Sequence, residues 1–483
     1  MIMNQTLWPA ETLPAAPARD ARLEAIERQN ATLKVEFCEQ LQSDPELSRA
    51  AVSFGDSKTE PQYRWFKFRE AFSPHLVSSN LATLGERGHV LDPFAGSGTA
   101  LFAATEMGWD ATGIEVLPVG RFLVNARQTA QSLTSEAWER VRAWRDTKPW
   151  NSTSLSAELG EVRITAGAYP PETKRAIESY LGALSNEEQN VAAVLKLALV
   201  CVLEAISYTR KDGQYLRWDA RAGRRVGAKP FNKGPILAFD DAIEAKLQQI
   251  MDDCARGESV PLSLFSQDEP ISAAGAIEVQ AGSCLDLLPC TEAASFDAIL
   301  TSPPYCNRYD YTRTYALELA LLGVSGPELI ELRQTMLSCT VENRAKDLLS
   351  SNPPWSAALE AVADCEALQT ILDYLDEERA LGNLNNTGIA RMVRGYFTEM
   401  ACVIQECARV LKPGAPMWMV NDNVRYAGAS IPVDLILSFI AERVGFDVEK
   451  IAVLPGGKGN SSQQMGVHGR EALRKCVYVW RRK

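Results

Sequence analysis

The segment GHVLDPFAGSGTALFAATEMGWDATGIEVLP, from Gly88 to Pro118, constrains the fold more than any other part of the chain. Its short apolar run HVLD predicts a strand, and helical spacing then continues from the Gly-rich turn to a stop at Gly108. A second strand, ATGIEV, follows. Two strands joined through a helix are expected to be parallel, with a right-handed crossover. The segment therefore predicts an open α/β sheet.

The pattern along the rest of the chain predicts that helical insertions interrupt this sheet. Strand signals resume in AIEVQAGSCLDLLP and FDAILTSPPY, and three further strands are predicted in MWMVND, FDVEKIAVLP and KCVYVWRR. A helix is expected from about Arg19 to Ala51. The predicted organisation is an N-terminal helical region at 1–60, a first core part at 61–135, a helical and basic insertion at 136–274, and a second core part at 275–483 that contains a helical insertion at about 322–386.

Composition excludes several classes of site. Three histidines and eleven scattered cysteines, without metal-ligand spacing, argue against a metal site and against a disulfide framework. No signal peptide is recognised and no apolar run is expected to span a membrane, so a cytoplasmic protein is predicted. A net charge of -11 argues against nonspecific coating of nucleic acid, although a local basic cleft stays possible.

The Gly-rich turn DPFAGSGT, from Asp92 to Thr99, is the first candidate binding site. It follows a strand and opens a helix, where backbone N–H groups face a ligand and glycines permit close approach. It lacks the lysine of a phosphate-binding GxxxxGK[ST] loop and does not fit GxGxxG. At the end of the second strand, Glu115 can accept both hydroxyls of a ribose, or can serve only as a charge at a helix N-terminus. Asp286 repeats this arrangement after the third strand, and the alternative is that it serves only as a turn or N-cap carboxylate.

The sequence TSPPY is the second candidate site, because two prolines end a buried strand. Pro303 and Pro304 cannot donate hydrogen bonds to neighbouring strands and fix a rigid loop at the sheet edge. The Ser302 hydroxyl and the loop carbonyl groups can accept hydrogen bonds from an amine, and Tyr305 offers a flat face for a planar base. This interpretation gives the role to the ring of Tyr305 rather than to its hydroxyl.

Together, DPFAGSGT and TSPPY resemble motifs I and IV of the S-adenosylmethionine-dependent DNA amino-methyltransferases. FSPHLVSSNL, from Phe72 to Leu81, resembles motif X of this family, and LKPGAPMWMV is similar to its motif VI. The resemblance implies a Rossmann-like methyltransferase sheet and S-adenosyl-L-methionine as cofactor. It implies that a base flipped out of the duplex meets Ser302, Pro303, Pro304 and Tyr305. The cofactor contacts it implies are Phe72, Ser73, Asp92, Pro93, Phe94, Ala95, Gly96, Gly98, Thr99, Glu115 and Asp286.

The first residue of motif IV bears on the target base. In the family, Ser at this position resembles many cytosine-N4 enzymes, whereas adenine enzymes usually carry Asp or Asn. Cytosine N4 in double-stranded DNA is therefore the expected target, with adenine N6 as the alternative. An RNA base methyltransferase and a non-catalytic, methylase-like DNA-binding subunit also stay open. A restriction-modification or phage-defence setting would add a cognate nuclease as partner.

A basic segment inside the first insertion is the candidate DNA contact. Between Tyr208 and Lys233 the chain carries eight Lys or Arg residues against two Asp, with aromatic residues interleaved. This composition suits phosphate and base contacts, or a solvated loop that pairs with the acidic remainder. The predicted DNA-binding residues are Arg210, Lys211, Arg217, Arg221, Arg224 and Arg225. The polar loop from Gly456 to Arg470 is a second candidate, with a hairpin tip as its alternative.

Overall fold

The computed structural model describes residues 21–212, 215–224, 230–257, 274–455 and 473–483. An eight-stranded sheet forms its centre, and two small hairpins accompany it. The strands are β1 (Leu41–Ser43), β2 (His89–Asp92), β3 (Asp110–Glu115), β4 (Thr209–Lys211), β5 (Leu216–Trp218), β6 (Ile277–Ala281), β7 (Ala298–Thr301), β8 (Pro416–Asp422), β9 (Val424–Tyr426), β10 (Ala429–Ile431), β11 (Phe446–Val453) and β12 (Lys475–Arg482).

Helices surround the sheet and fill the connections between its strands. Within the described residues they are α1 (Ala21–Glu36), α2 (Pro74–Leu81), α3 (Thr99–Glu106), α4 (Pro118–Gln131), α5 (Ser135–Thr147), α6 (Pro171–Leu184), α7 (Gln189–Ile206), α8 (Phe239–Gly257), α9 (Cys284–Leu287), α10 (Tyr311–Thr314), α11 (Ala316–Leu321), α12 (Gly326–Thr335), α13 (Leu348–Ser351), α14 (Ser356–Ala363), α15 (Glu366–Ala380), α16 (Ile389–Val410) and α17 (Val433–Arg443).

The strand order of the large sheet is β1-β11-β12-β8-β7-β2-β3-β6. Among these described strands, β12 runs antiparallel to both neighbours and the remaining pairs are parallel. The order reverses between β2 and β7, which makes their carboxyl ends the switch point where ligands of open α/β sheets bind. The predicted Rossmann-like α/β sheet is confirmed.

Alternating side chains on the central strands build an apolar layer on each face of the sheet. Leu91 and Ile299 face the layer formed by α16 and α17, whereas Val90 and Leu300 face the layer formed by α2 and α3. Strands covered by helices on both faces are expected to be continuously apolar, as HVL and AILT are. This two-sided burial fixes the register of β2 and β7, and with it the positions of the two loops that follow them.

The N-terminal region differs from the prediction of one helix up to Ala51. Helix α1 ends at Glu36, and Leu41–Ser43 adds a parallel strand to the edge of the sheet beside β11. The Ile451 N–H donates to the Gln40 carbonyl at 2.7 Å, and Lys450 Nζ lies 2.8 Å from Asp44 Oδ2. An edge strand offers unpaired backbone groups, which this short segment satisfies. The prediction that this helix extends to Ala51 is therefore wrong beyond Glu36.

Helices α5 to α8 and the β4–β5 hairpin lie along the chain between β3 and β6. Contrary to the sequence expectation, α7 is long and apolar enough to cross a membrane by length and composition, but 56% of it is buried inside the molecule. Its side chains pack with those of α4, α8 and α11 in one apolar cluster. This burial is typical of a core helix.

The second insertion supplies α12 to α15. Helix α14 packs on α16 and α17, and α15 packs on α16 and α1. Trp355, fully buried before α14, donates from its indole nitrogen to Glu406 Oε1 at 2.9 Å. This half of the insertion supports one face of the sheet. Between β7 and α13, residues Met336 and Leu337 reach the ligand cleft.

Candidate active site

The turn after β2 has the backbone conformation that its glycines allow. Gly98 adopts φ 82° and precedes α3, and a side chain there would place its Cβ 2.7 Å from Val124 Cγ2. A Cβ on Gly96, with φ 54°, would lie 2.9 Å from the Phe68 ring. Both positions therefore require glycine for conformation and for space. The turn presents the first N–H groups of α3 to the cleft at the switch point.

Glu115 lies at the end of β3 with its carboxylate turned toward this turn. It is 6% exposed, and its two oxygens accept from the Gly96 N–H and the Leu117 N–H, each at 2.6 Å. Burial raises the pKa of Glu115 to about 7, against the opposing effect of the two N–H groups. A carboxylate has about four acceptor positions. Two positions stay available toward the cleft after the backbone bonds are made.

Asp92, at the end of β2, connects the two candidate loops. Its Oδ1 accepts from the Thr301 hydroxyl at 2.6 Å and from the Phe94 N–H at 3.0 Å. Burial raises the pKa of Asp92 to about 7, although both hydrogen bonds favour the ionised form. Thr301 is the last residue of β7, directly before Ser302. The Asp92 carboxyl group thus fixes the Gly-rich turn relative to the TSPPY loop.

One cleft receives residues from both candidate loops. It contains about 720 Å³ of empty space, counting its open mouth. Nine of the predicted site residues line it, namely Phe72, Pro93, Phe94, Ala95, Gly96, Thr99, Glu115, Ser302 and Pro304. The Gly-rich turn and the TSPPY loop follow strands whose last residues, Asp92 and Thr301, are 209 positions apart in sequence, and the parallel pairing of β2 with β7 brings them together. The structure thus joins motifs that the sequence could only place separately.

Other predicted site residues, among them Pro303 and Tyr305 of the TSPPY loop, lie outside the cleft wall. Ser73 is buried and accepts from the His75 N–H as the cap of α2, at 3.2 Å. Gly98 caps α3. Asp286 is exposed within α9, and the structure does not bring it to the cleft; Ser283 and Cys284 from the same segment line it instead. Ser283 directly follows Gly282 after β6. Its position at the end of a predicted strand could therefore have identified it as a residue of the cleft.

The loop after β7 forms a connected polar group. Ser302 Oγ lies 2.9 Å from the Tyr305 hydroxyl and 3.4 Å from the Val420 carbonyl oxygen on β8. Lys475 Nζ donates to the Tyr305 hydroxyl at 3.4 Å and lies 5.0 Å from the centre of its ring. Burial raises the pKa of Tyr305. The hydroxyl of Tyr305 therefore has partners that the sequence interpretation did not foresee.

An aromatic wall on the other side of the cleft was missed by sequence reasoning. Phe68 and Tyr311 line the cleft, and the Phe68 ring stacks on Tyr315 at 4.9 Å and 7°. The Tyr315 hydroxyl donates to Glu70 Oε2 at 2.6 Å, and burial raises the pKa of Glu70. The aromatic run at 309–315 directly after TSPPY was the available signal. The local sequence around Met336 and Leu337, in the second insertion, contains no signal that would have predicted their place in the cleft.

The basic segment forms a hairpin, β4–β5, in which Arg210 and Arg217 are register partners. Arg210, Arg217 and Arg224 are exposed. The Arg217 guanidinium lies 4.0 Å from the centre of the Phe231 ring, and that of Arg224 lies 4.1 Å from the Trp218 ring. An aromatic ring beneath a guanidinium helps to hold it in place, and the Arg224 guanidinium also donates to the Arg163 carbonyl oxygen at 3.0 Å. Arg210 and Arg217 are thus exposed on the hairpin, and Arg224 is exposed in the segment that follows it.

Two other residues predicted to contact DNA, one buried and one exposed, form ion pairs within the protein. Lys211 is 3% exposed, and its Nζ lies 2.6 Å from Glu318 Oε1, so its charge is neutralised in the interior and is not available to a phosphate. Arg221 pairs with Asp219 at 2.7 Å and also donates to the Gly234 carbonyl oxygen. Arg221 is exposed despite these partners, so its DNA contact stays a prediction. Arg225 and the loop from Gly456 to Arg470 lie outside the described residues.

The strand order and the cleft at the switch point define a Rossmann-like α/β protein with a preformed cleft at the carboxyl ends of its strands. Within that class, the chain belongs to the Type II methyltransferases. It is 52% identical over 466 residues to the Type II methyltransferase M.AvaI of Nostoc sp., covering 96% of this chain and 95% of the relative. M.AvaI of Anabaena variabilis gives the same values. The Type II methyltransferase M.BsoBI of Geobacillus stearothermophilus is 39% identical over 459 residues, covering 90% and 88%. No protein-family model matches the chain.

Proposed function

We propose that this chain transfers a methyl group from S-adenosyl-L-methionine to an exocyclic amine of a base flipped out of double-stranded DNA, with cytosine N4 as the favoured target. The observation that carries the proposal is the shared cleft: the Gly-rich turn, Glu115, Ser302 and Pro304 line one cavity at the switch point of the sheet. The family membership supports methyl transfer as the reaction.

The residues of the cleft fit the proposed cofactor. The apolar lining from Phe68, Phe72 and Ile114 suits a nucleoside and a thioether chain, and the Gly-rich turn leaves room for close approach. Glu115 retains two acceptor positions for ribose hydroxyls. Ser283 and Cys284 line the same cleft just after the neighbouring strand β6, and they would contact the adenine ring of the cofactor. When bound, the cofactor would supply a methyl group on a sulfonium; its transfer would break the S–CH3 bond and leave a neutral thioether, and the methylated amine would release one proton to solvent.

The target loop would act on the amine by orientation. An exocyclic amine is a weak nucleophile because its lone pair is shared with the ring. Hydrogen bonds from the amine to Ser302 Oγ and to a loop carbonyl would direct that lone pair toward the methyl group. Holding two reactants in this geometry supplies much of the rate enhancement in such transfers. Tyr305 would stack on the base and keep its amine at the acceptors.

We expect duplex DNA to receive the methyl group as N4-methylcytosine. Unmethylated genomic DNA is a suitable substrate because it contains many candidate sites. It is incubated with labelled S-adenosylmethionine, and an equal mass of RNA is treated in parallel. The methylated nucleosides are then identified by mass spectrometry. The serine at the start of TSPPY is the reason for expecting cytosine. N6-methyladenine would replace the cytosine assignment, labelled RNA would favour an RNA base methyltransferase, and cofactor binding without transfer would favour a non-catalytic DNA-binding subunit.

We also propose the biological setting. A Type II methyltransferase that acts on DNA would protect sites from a companion restriction or defence nuclease of the same specificity. Such a pair works where the chromosome lies, which in a bacterial cell is the cytoplasm. Double-stranded DNA and the nuclease are therefore the proposed partners.

The hairpin arginines are expected to contact DNA phosphates. Changing Arg210, Arg217 and Arg224 together to Gln should weaken DNA binding and flatten its salt dependence by about 0.9 log unit for each phosphate that the variant no longer binds. The measurement is the affinity for one duplex over a range of salt concentrations. Cofactor affinity should stay unchanged, because none of the three residues lines the cleft.

A charge-matched control separates specific contacts from net charge. Arg140, Arg142 and Arg175 lie on α5 and α6 of the same insertion, and their joint change to Gln removes the same charge. This control should leave the salt slope near that of the wild type. If DNA affinity depends on salt equally in the wild type and the hairpin variant, the hairpin is a solvated segment that does not contact DNA.

A further inference from the structure

Lys475 stands beside the target loop although it is distant in sequence. It opens β12 and is the register partner of Asp422, the last residue of β8. Its Nζ lies 3.1 Å from Asp422 Oδ1 and 3.4 Å from the Tyr305 hydroxyl, and its side chain is 20% exposed. Since β8 pairs with β7, this ion pair lies next to the loop that begins at Ser302. Neither Lys475 nor Asp422 lines the cleft itself.

The chemistry of the ammonium group gives this contact a direction. Lysine carries three donors and no acceptor, so the Tyr305 oxygen must accept in their contact. The hydroxyl hydrogen of Tyr305 is then left for Ser302 Oγ, 2.9 Å away. The hydrogen of Ser302 is in turn directed to the Val420 carbonyl oxygen at 3.4 Å. In this arrangement Ser302 keeps a lone pair toward the cleft.

Without the Lys475 ammonium, the donor and acceptor roles of Tyr305 and Ser302 would no longer be fixed. Tyr305 and Ser302 can each donate to the other, because both are hydroxyl groups. Without Lys475, hydrogens of the pair can turn into the cleft and oppose the N–H groups of an incoming amine. The ammonium also lies near one side of the Tyr305 ring and limits its rotation. Asp422 holds the ammonium in place.

We infer that Lys475, anchored by Asp422, is a positioning residue that fixes the ring of Tyr305 and the hydrogen-bond direction at Ser302 for methyl transfer. The inference rests on the proposed function, in which Ser302 accepts the target amine. It gives the Tyr305 hydroxyl a role, in contrast to the ring-only interpretation from sequence. It also assigns a function to the pairing of β8 with β12 at the end nearest the cleft.

The test compares steady-state methylation by the full-length wild type, Lys475→Met, Lys475→Arg, Tyr305→Phe and the double variant Lys475→Met/Tyr305→Phe. Lys475→Met should lower kcat by about tenfold, the scale of one hydrogen bond to a charged group, with cofactor affinity within about twofold of the wild type. Lys475→Arg should retain most activity, because guanidinium is also a donor without an acceptor. The double variant should lose less than the product of the two single losses, since both changes interrupt the same hydrogen-bond connection through the Tyr305 hydroxyl.

Other results would overturn the inference. Two such results are an unchanged kcat in Lys475→Met and a loss in the double variant equal to the product of the two single losses. A third is a change confined to the KM for DNA with a flatter salt dependence, which would make Lys475 a phosphate contact. Lys450→Met, which removes the Lys450–Asp44 ion pair of the same sheet, is the matched control and should keep wild-type kcat. A wild type that methylates no nucleic acid would defeat the proposed function, whereas an active wild type with an equally active Lys475→Met would defeat this inference alone.

Discussion

Ser302→Ala is expected to lower the turnover of methyl transfer by about 100- to 1000-fold, the scale for removing one preorganised hydrogen-bonding group at a reacting centre. The Ser302 hydroxyl is held by Tyr305 and by the Val420 carbonyl, so it is already oriented before a base arrives. Alanine would leave the loop backbone and the cleft volume nearly unchanged. Single-turnover kinetics with saturating cofactor and DNA measure the effect directly, because product release does not contribute.

Two comparisons make this result specific. Ser295→Ala removes a hydroxyl before β7, at the opposite end of that strand, where it donates to the Glu292 carbonyl oxygen at 2.8 Å. This control should turn over like the wild type. Cofactor affinity, measured by calorimetry, should change little in Ser302→Ala. Wild-type turnover in a folded Ser302→Ala protein would remove the hydroxyl from the reaction and leave the loop carbonyls as the amine acceptors.

The sheet could be predicted well because its strands are buried on both faces. Runs such as HVLD, AILT and MWMVND have apolar side chains on both sides, and glycine or proline marks their ends. The strand at Leu41–Ser43 could not be predicted, since three partly exposed residues carry no periodic signal. It forms only because the edge of β11 offers backbone groups to pair.

The candidate site shows the same division between local and long-range information. The Gly-rich turn and TSPPY are contiguous motifs, so their residues could be named from the sequence. Phe68, Glu70 and Met336 reach the cleft through the packing of separate segments, and nothing in their local sequence indicates it. Lys211 shows the reverse case: a basic segment predicts surface charge, but a buried partner, Glu318, lies 107 positions further along the chain.

Glu115→Ala is expected to weaken cofactor binding by about 1–3 kcal/mol, roughly 5- to 150-fold in Kd, the range for losing hydrogen bonds to a charged group. Its carboxylate faces the cleft with two acceptor positions left after bonding Gly96 and Leu117. Calorimetry with S-adenosylmethionine and the full chain gives the value. Glu278→Ala, on the neighbouring strand β6 and exposed, is the matched control and should bind like the wild type.

The pH dependence of the same affinity gives a second measure of the Glu115 role. Because burial raises the pKa of Glu115 to about 7, the carboxylate that accepts ribose hydroxyls predominates above pH 7 and becomes protonated below it. Affinity should therefore fall by about tenfold from pH 8 to pH 6, as expected for one group that must lose its proton to bind. Glu115→Gln cannot titrate and should bind weakly with a flatter profile. The carboxylate has no part in ribose binding if Glu115→Ala keeps both the affinity and the pH profile of the wild type.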